Sequence, residues 1–261
     1  MTEYGWISLT TDYGLEDGFV AACHGVIARI APTVRVIDVT HAVAPGDVSR
    51  GAAVLADTVA ALPPAVHVAV VDPGVGTARR GVALRAARGL LVGPDNGLLL
   101  WAAGALGGVA AAVELRSENA RFPTFHGRDV FCPAAARLAL GEELAAEGRP
   151  LDPATLVRLP DPTVRHGEGW VEAEVRTVDR FGNVQLAATD AAGLDGALRV
   201  GDTPAVRGRT FADARPGGLV VLIDSAGRLA VAADGASAAA LLRVAPGDVV
   251  RIEKAGHLRQ D

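Results

Sequence analysis

The stretch HVAVVDPGVGTARRGVAL, His67–Leu84, decides how the rest of the chain is read. Apart from His67, its first residues form an apolar run short enough for a buried strand. The run stops at Asp72-Pro73-Gly74. Proline and glycine end regular structure, so Asp72 sits where a strand empties into a tight loop. Gly74 and Gly76 frame Val75, and Arg79 and Arg80 follow before a second apolar run. A carboxylate and a guanidinium seven residues apart at the mouth of a core strand need a reason, and the rest of the chain is read for partners to that loop.

Upstream, Trp6–Thr10 reads as a strand that ends in the turn Thr11-Asp12-Tyr13-Gly14. Asp17-Gly18 starts a helix to about Ala31, where Pro32 ends it, and Val34–Val39 is a second strand. Asp47 is an N-cap for a helix through about Leu62. Downstream, Gly81–Arg85 and Gly89–Val92 read as a hairpin, followed by the turn Gly93-Pro94-Asp95-Asn96-Gly97. A helix from about Leu98, a strand near Val109–Leu115 and a helix with Pro133 in its first turn, running to Gly141, complete the pattern. Strands alternating with helices predict an α/β domain over 1–150, its largely parallel sheet flanked by helices. Residues 151–169, rich in Pro, Asp and Arg, read as a linker. Beyond them, short strands separated by glycine turns predict a smaller all-β antiparallel domain over 170–261, barrel- or sandwich-like, with Ala236–Leu242 its one helix.

At 261 residues the chain is long enough for a sizeable core, built mostly of Ala, Val and Leu because aromatics are scarce. A net charge of −5 argues against general nucleic-acid binding, which wants a basic stripe. Cys23 and Cys132, far apart in sequence, make neither a disulfide framework nor a zinc knuckle. There is no signal-peptide pattern and no apolar run of membrane-spanning length, so the expectation is a cytoplasmic protein without a membrane partner.

Asp12, Asp38, Asp72 and Asp95 each fall at or just past a strand's C-terminal end. Turn preference explains any one of them. All four together mark the sheet edge where open α/β folds bind ligands. His126, in the glycine-flanked island Phe125-His126-Gly127-Arg128-Asp129, reads as functional. His41 reads equally well as functional or structural, and His24, inside an amphipathic helix, as structural. His67, His166 and His257 carry no signal. Asp12, Asp17, Asp38, His41, Asp72 and His126 offer metal-ligand atoms, but no HxxxH, HxH or DxH pair occurs, and the expectation is no metal. GVGTARRG lacks the lysine of a phosphate-binding loop. In the second domain, Asp179-Arg180-Phe181-Gly182-Asn183 reads as a turn that also presents an amide and a ring face. Asp224-Ser225-Ala226-Gly227 reads as a hairpin turn.

TTDYGLEDGFVA, VIDVTHAVAPGD, VVDPGVGTARR, VGPDNGLL, FHGRDVFCPAAA and DRFGNV stand in this order along the chain. Together they resemble the SAM hydroxide adenosyltransferases, or SAM hydrolases, relatives of the fluorinating and chlorinating enzymes. The resemblance implies hydrolysis of S-adenosyl-L-methionine (SAM) by water or hydroxide at C5′, giving adenosine and L-methionine, with no cofactor. It implies a homotrimer with the ligand held between the first domain of one subunit and the second domain of the next. The family's catalytic Asp-Arg-His set falls on Asp72, Arg79 and His126. Asp12 matches the ribose contact, Asp179 a residue near the methionine amino group, Phe181 and Asn183 the adenine contacts, Ser225 a contact of the amino-acid carboxylate, and Gly235 lies among the substrate-binding positions. Halogenating relatives carry an aromatic residue at position 72 and a tyrosine at position 126. Ala226 stands where the fluorinating enzyme has an arginine, and the usual hydrolase Glu near Ala230 and Asn near Asp234 are absent.

Three readings compete with hydrolysis. A halide-dependent adenosyltransferase would use small Gly127 to leave room for an anion. A non-catalytic adenosine- or SAM-binding protein would account for the missing Glu and Asn. A metal-dependent hydrolase would lose activity to a chelator.

Overall fold

The computed structural model describes residues 3–117, 120–191 and 193–256, so His257 lies outside the described residues. The chain divides into two compact units, Met1–Leu159 and Pro160–Asp261.

The first unit is built on seven strands: β1 (Trp6–Thr11), β2 (Arg35–Thr40), β3 (Val66–Val70), β4 (Gly81–Ala86), β5 (Gly89–Pro94), β6 (Val109–Leu115) and β7 (Gly148–Leu151). Their order is β2-β1-β3-β5-β4-β6-β7. The pairs β2/β1, β1/β3 and β3/β5 are parallel, whereas β5/β4, β4/β6 and β6/β7 are antiparallel. The sheet is therefore mixed, not largely parallel as expected. Ala87 and Arg88 alone connect β4 to β5, and so short a connection permits only antiparallel pairing.

Every residue of β3 is buried. Val66, Val68 and Val70 pack with α1 (Phe19–Ile30) on one face of the sheet. Ala69 and the following Val71 pack with α2 (Val48–Val59) and α3 (Leu100–Ala105) on the other. A strand covered on both sides reads as a continuous apolar run, which is why the opening stretch shows no alternation. Asp47 caps α2 by accepting from the Arg50 N–H at 2.9 Å. A π-helical turn, Gly127–Phe131, leads into α4 (Cys132–Ala139), which packs against α1; the short α5 (Leu144–Glu147) follows.

The second unit holds β8 (Val164–Gly167), β9 (Trp170–Val178), β10 (Val184–Leu186), β11 (Ala197–Val200), β12 (Thr203–Arg207), β13 (Leu219–Ile223), β14 (Leu229–Ala233) and β15 (Val249–Lys254), with α6 (Ala238–Leu242) between the last two. β8 falls within the stretch read as linker and pairs with β9. The order β10-β14-β13-β12-β11-β15-β9 closes through a β9/β10 pairing, making a seven-strand barrel. Val171, Val175, Leu186, Leu198, Val221, Val231 and Ile252 share its core. The unit is not wholly antiparallel: β12 and β13 run parallel. Residues 208–218 with their 3-10 turn carry the chain back across the strands before β13 starts, so this connection is a crossover and not a hairpin.

Candidate active site

Asp72 follows β3 at the C-terminal edge of the parallel strands. The loop beyond it folds back on itself. The Thr77 hydroxyl donates to the Gly74 carbonyl at 2.7 Å and accepts from the Arg79 N–H at 3.3 Å. Gly76, at φ +78°, lies against the Pro123 carbonyl, 3.2 Å from where a Cβ would stand. This return brings Arg79 onto Asp72. Arg79 Nε donates to Asp72 Oδ1 at 3.1 Å, and Nη2 donates to Oδ2. Nη2 also lies 3.2 Å from His126 Nδ1. A guanidinium only donates, so Nδ1 must accept and the neutral ring carries its proton on Nε2. Arg79 Nη1 is buried without a hydrogen-bond partner, and the Phe131 ring lies 5.5 Å from Cζ.

Burial and the Arg79 charge hold His126 below its ordinary value, against the pull of Asp72 and Asp129. Burial raises the Asp72 carboxyl while Arg79 and His126 oppose it. With both oxygens accepting from a guanidinium, Asp72 has the geometry of a carboxylate, and a comparatively basic one.

A cavity of about 460 Å³ opens beside this cluster, lined by Asp12, Tyr13, Phe19, Gly46, Asp72, Phe125, His126 and Gly127 among others. Asp72 and His126 form part of its wall; Arg79, packed against both, does not. Asp12 follows β1, and its Oδ2 accepts from the Gly46 N–H at 2.9 Å. Tyr13, Phe19 and Phe125 make an aromatic wall, with ring centroids 5.3–5.9 Å apart. Gly127 fits because it has no side chain: a Cβ there would lie 2.1 Å from the Tyr13 hydroxyl oxygen. The space expected above Gly127 for an anion is filled by Tyr13, which removes the observation that motivated a halide reading.

The four strand-end aspartates do share one edge, but they split by partner. Asp95 is buried, accepts from the Arg80 Nε at 2.9 Å and the Val157 N–H at 2.9 Å, and holds the loop after β7. Asp38, within β2, lies between His24 of α1 and His41. Only Asp12 and Asp72 of the four line the cavity. The sequence reading missed Tyr13, Phe19 and Gly46 as wall residues.

In the second unit, Asp179, Phe181, Asn183, Phe211, Asp234 and Gly235 line a pocket of about 720 Å³. Asp179 Oδ1 accepts from the Phe181 and Asn183 N–H groups at 2.8 and 2.9 Å, and Oδ2 from the Asn183 side chain at 2.8 Å. The turn thus leaves Phe181 72% exposed and the Asn183 amide oxygen without a side-chain donor within the turn. At Gly182, φ is +86° and a Cβ would meet Ser237 Oγ at 2.1 Å. Ser225 is exposed in the β13–β14 turn and is not part of this pocket wall.

Family comparison assigns residues 7–148 to the SAM hydroxide adenosyltransferase N-terminal domain and residues 173–251 to the corresponding C-terminal domain. The chain belongs to the SAM hydroxide adenosyltransferase family. It is 66% identical to the (R)-S-adenosyl-L-methionine hydrolase of Salinispora arenicola (strain CNS-205) over 258 residues, 97% of this chain and 99% of that protein. It is 63% identical to the protein of the same name from Salinispora tropica (strain CNB-440), over 95% and 97% of the two chains. Fluorinases are more distant, that of Actinoplanes sp. (strain N902-109) at 32% over 95% of this chain and 97% of that protein. Among solved structures, an uncharacterized conserved protein from Thermotoga maritima superposes with a TM-score of 0.86 at 33% identity, covering 95% of this chain and all of that one.

Ala226, matched to the fluorinating enzyme's arginine, and Ala230 and Asp234, near which hydrolases usually carry Glu and Asn, are spread out in the structure. Ala226 is exposed in a turn, Ala230 is buried with Val220 and Leu222 in a small cluster, and Asp234 lies on the pocket wall. Among the described residues no helix is long and apolar enough to cross a membrane.

Proposed function

We propose that this protein is an enzyme that hydrolyses SAM to adenosine and L-methionine, acting on the (R)-sulfonium epimer named for its relatives. The observation that carries the reading is the Asp72–Arg79–His126 cluster on the wall of an aromatic-sided cavity that also holds Asp12. In this reading Asp12 takes the ribose hydroxyls, and water bound between Asp72 and His126 attacks C5′ in line with the departing sulfur. The new C5′–O bond forms as the C5′–S bond breaks, and the sulfonium leaves as a neutral thioether, so no acid is needed for the leaving group and no cofactor is called for.

The proposed parts rest on the His126 tautomer. His126 Nδ1 is occupied by Arg79, so its Nε2–H donates to the water oxygen. Asp72, raised by burial, accepts the water's proton and later releases it to solvent. Arg79 works behind them, fixing both groups. As Asp72 takes the proton, its negative charge and the sulfonium's positive charge are both lost, and a cavity with apolar walls favours such a merging of opposite charges by stripping solvation.

Asp179, Phe181, Asn183 and Gly235 are proposed to contact the adenine and methionine ends, with Ser225 at the amino-acid carboxylate. The working form is proposed to be a homotrimer in which one copy's Asp72 cavity meets another copy's Asp179 pocket. The support is the family resemblance and the division of the expected contacts between two separate pockets. A cytoplasmic location belongs to the same proposal.

The test is incubation of purified protein with each sulfonium epimer, following adenosine by chromatography. Adenosine forms and methionine appears in equal amount; no adenosine above the uncatalysed control overturns the reading. Light scattering tests the assembly: a fully active monomer would rule out a site shared between copies.

A further inference from the structure

His24 from α1, Asp38 from β2 and His41 just beyond β2 converge outside the cavity wall. His24 Nε2 lies 2.9 Å from Asp38 Oδ1, and His41 Nε2 lies 3.0 Å from the same oxygen. One ligand atom from each residue fits within 4.8 Å of the others; among the described residues no other trio of His, Cys, Asp or Glu does so. Ligands about 2.1 Å from one cation are about 3.0 Å apart at right angles and about 3.4 Å apart in a tetrahedron. The two separations to Asp38 Oδ1 match the first, a length that a hydrogen bond also has.

His41 supplies a second, independent observation. Its side chain is 4% exposed, and the buried Nε2 has the Asp38 carboxylate as its neighbour at 3.0 Å. Its other nitrogen, Nδ1, lies 2.8 Å from the Thr11 hydroxyl. In one tautomer Nε2–H donates to Asp38 while Nδ1 accepts from Thr11; in the other, Nδ1–H donates to Thr11 and Nε2 presents a lone pair beside the carboxylate, the state that takes a cation. A hydrogen bond at the far ring nitrogen is the usual way a ligating histidine is oriented, and here a hydroxyl supplies it.

We propose that His24, Asp38 and His41 bind a first-row divalent cation of the zinc class, which braces the loop carrying Asp12. Two imidazoles and a carboxylate suit such ions better than magnesium or calcium. The half-exposed His24 and Asp38 leave a path for entry and room for water ligands. On binding, the cation takes the place of the His24 proton now shared with Asp38, and that proton moves to His24 Nδ1. Bracing follows from two contacts of His41 with the loop: Thr11 at its ring, and the Gly14 N–H donating to its carbonyl at 2.8 Å. The three ligands escape sequence patterns because helix, strand and loop each supply one. The site is separate from the reacting atoms, so the reaction still proceeds without it.

Chelator-stripped full-length protein is titrated with Zn²⁺ by calorimetry near neutral pH, and with Co²⁺ by absorption spectroscopy. The expected result is one ion per chain, a cobalt spectrum without thiolate charge transfer, and slower hydrogen exchange at the Gly14 amide in the loaded protein. His24→Ala, at a half-exposed helix position, lowers affinity by about 100-fold or more while the thermal unfolding of the metal-free protein is retained. Lack of saturable binding, unchanged affinity in His24→Ala, or a thiolate band placing the ion on Cys23 and Cys132 would each overturn the site. Unchanged exchange at Gly14 would overturn the brace.

Discussion

Asp72 accepts from Arg79 through both of its oxygens, and the guanidinium nitrogen that serves one of them also reaches His126. One cation therefore fixes the orientation of two cavity-wall groups and, by occupying Nδ1, the tautomer of the histidine.

Asp72→Asn replaces the acceptor oxygen with a second donor facing a guanidinium. Turnover of SAM to adenosine falls by at least about 10²-fold, the scale of losing one organised polar contact to a reacting group. Arg79→Lys falls comparably, because a point charge cannot hold Asp72 and His126 at once. Single-turnover adenosine formation measures both, and near-normal turnover in Asp72→Asn would remove Asp72 from the water-handling role.

His126 must be neutral to accept from Arg79, and its environment keeps it so, below its ordinary value of 6.5. Activity is expected to hold as pH falls through 6.5 and to decline only below it. Stability follows the same sign: a histidine depressed in the folded state stabilises the fold above the unfolded value, and that contribution is lost as pH falls. A pH profile of kcat/KM with ring titration by NMR checks this; an acid limb at or above 6.5 contradicts it.

His67 is buried in β3, its Nδ1 2.8 Å from the Ser8 hydroxyl, and burial lowers it to about 4. The unfolded chain takes up this proton first as pH drops. Between pH 7 and pH 5 the group alone should cost about 2 kcal/mol of stability. Urea unfolding at the two pH values measures the loss, which His67→Gln should reduce.

Gly127→Ala drives a Cβ into the Tyr13 hydroxyl and should cost about 1–3 kcal/mol, the usual scale of overpacking. Tyr13→Phe removes the offending oxygen and leaves the nearest ring carbon 3.1 Å away, so the double variant recovers part of the loss. Thermal unfolding of the four proteins closes the cycle. In chloride, the wild-type protein forms adenosine and not 5′-chloro-5′-deoxyadenosine; a chlorinated main product would reinstate the halide reading.

Local chemistry made much of the fold legible. Apolar runs, Pro and Gly stops and the Asp47 cap place β1, β3, β6, α1 and α2 close to where they form, because those signals act over a few residues. Sheet direction was less legible: a two-residue turn reversed β4 against β5, and one crossover put a parallel pair into the barrel. Asp72, Arg79 and His126 were visible as residue types and motifs. That they touch, and that Arg79 stands behind the other two, was not.

The sequence by itself determined the two-part composition, the strand-end carboxylates and the family motifs, since each is written in contiguous residues. Only the tertiary structure sorted those carboxylates. It gave Asp12 and Asp72 to the cavity, Asp95 to Arg80 and Asp38 to two histidines, and it filled the space over Gly127 with Tyr13. Partners such as Arg79 and His126 stand 47 positions apart, and their meeting depends on how β3, its returning loop and the π-helical turn before α4 pack together.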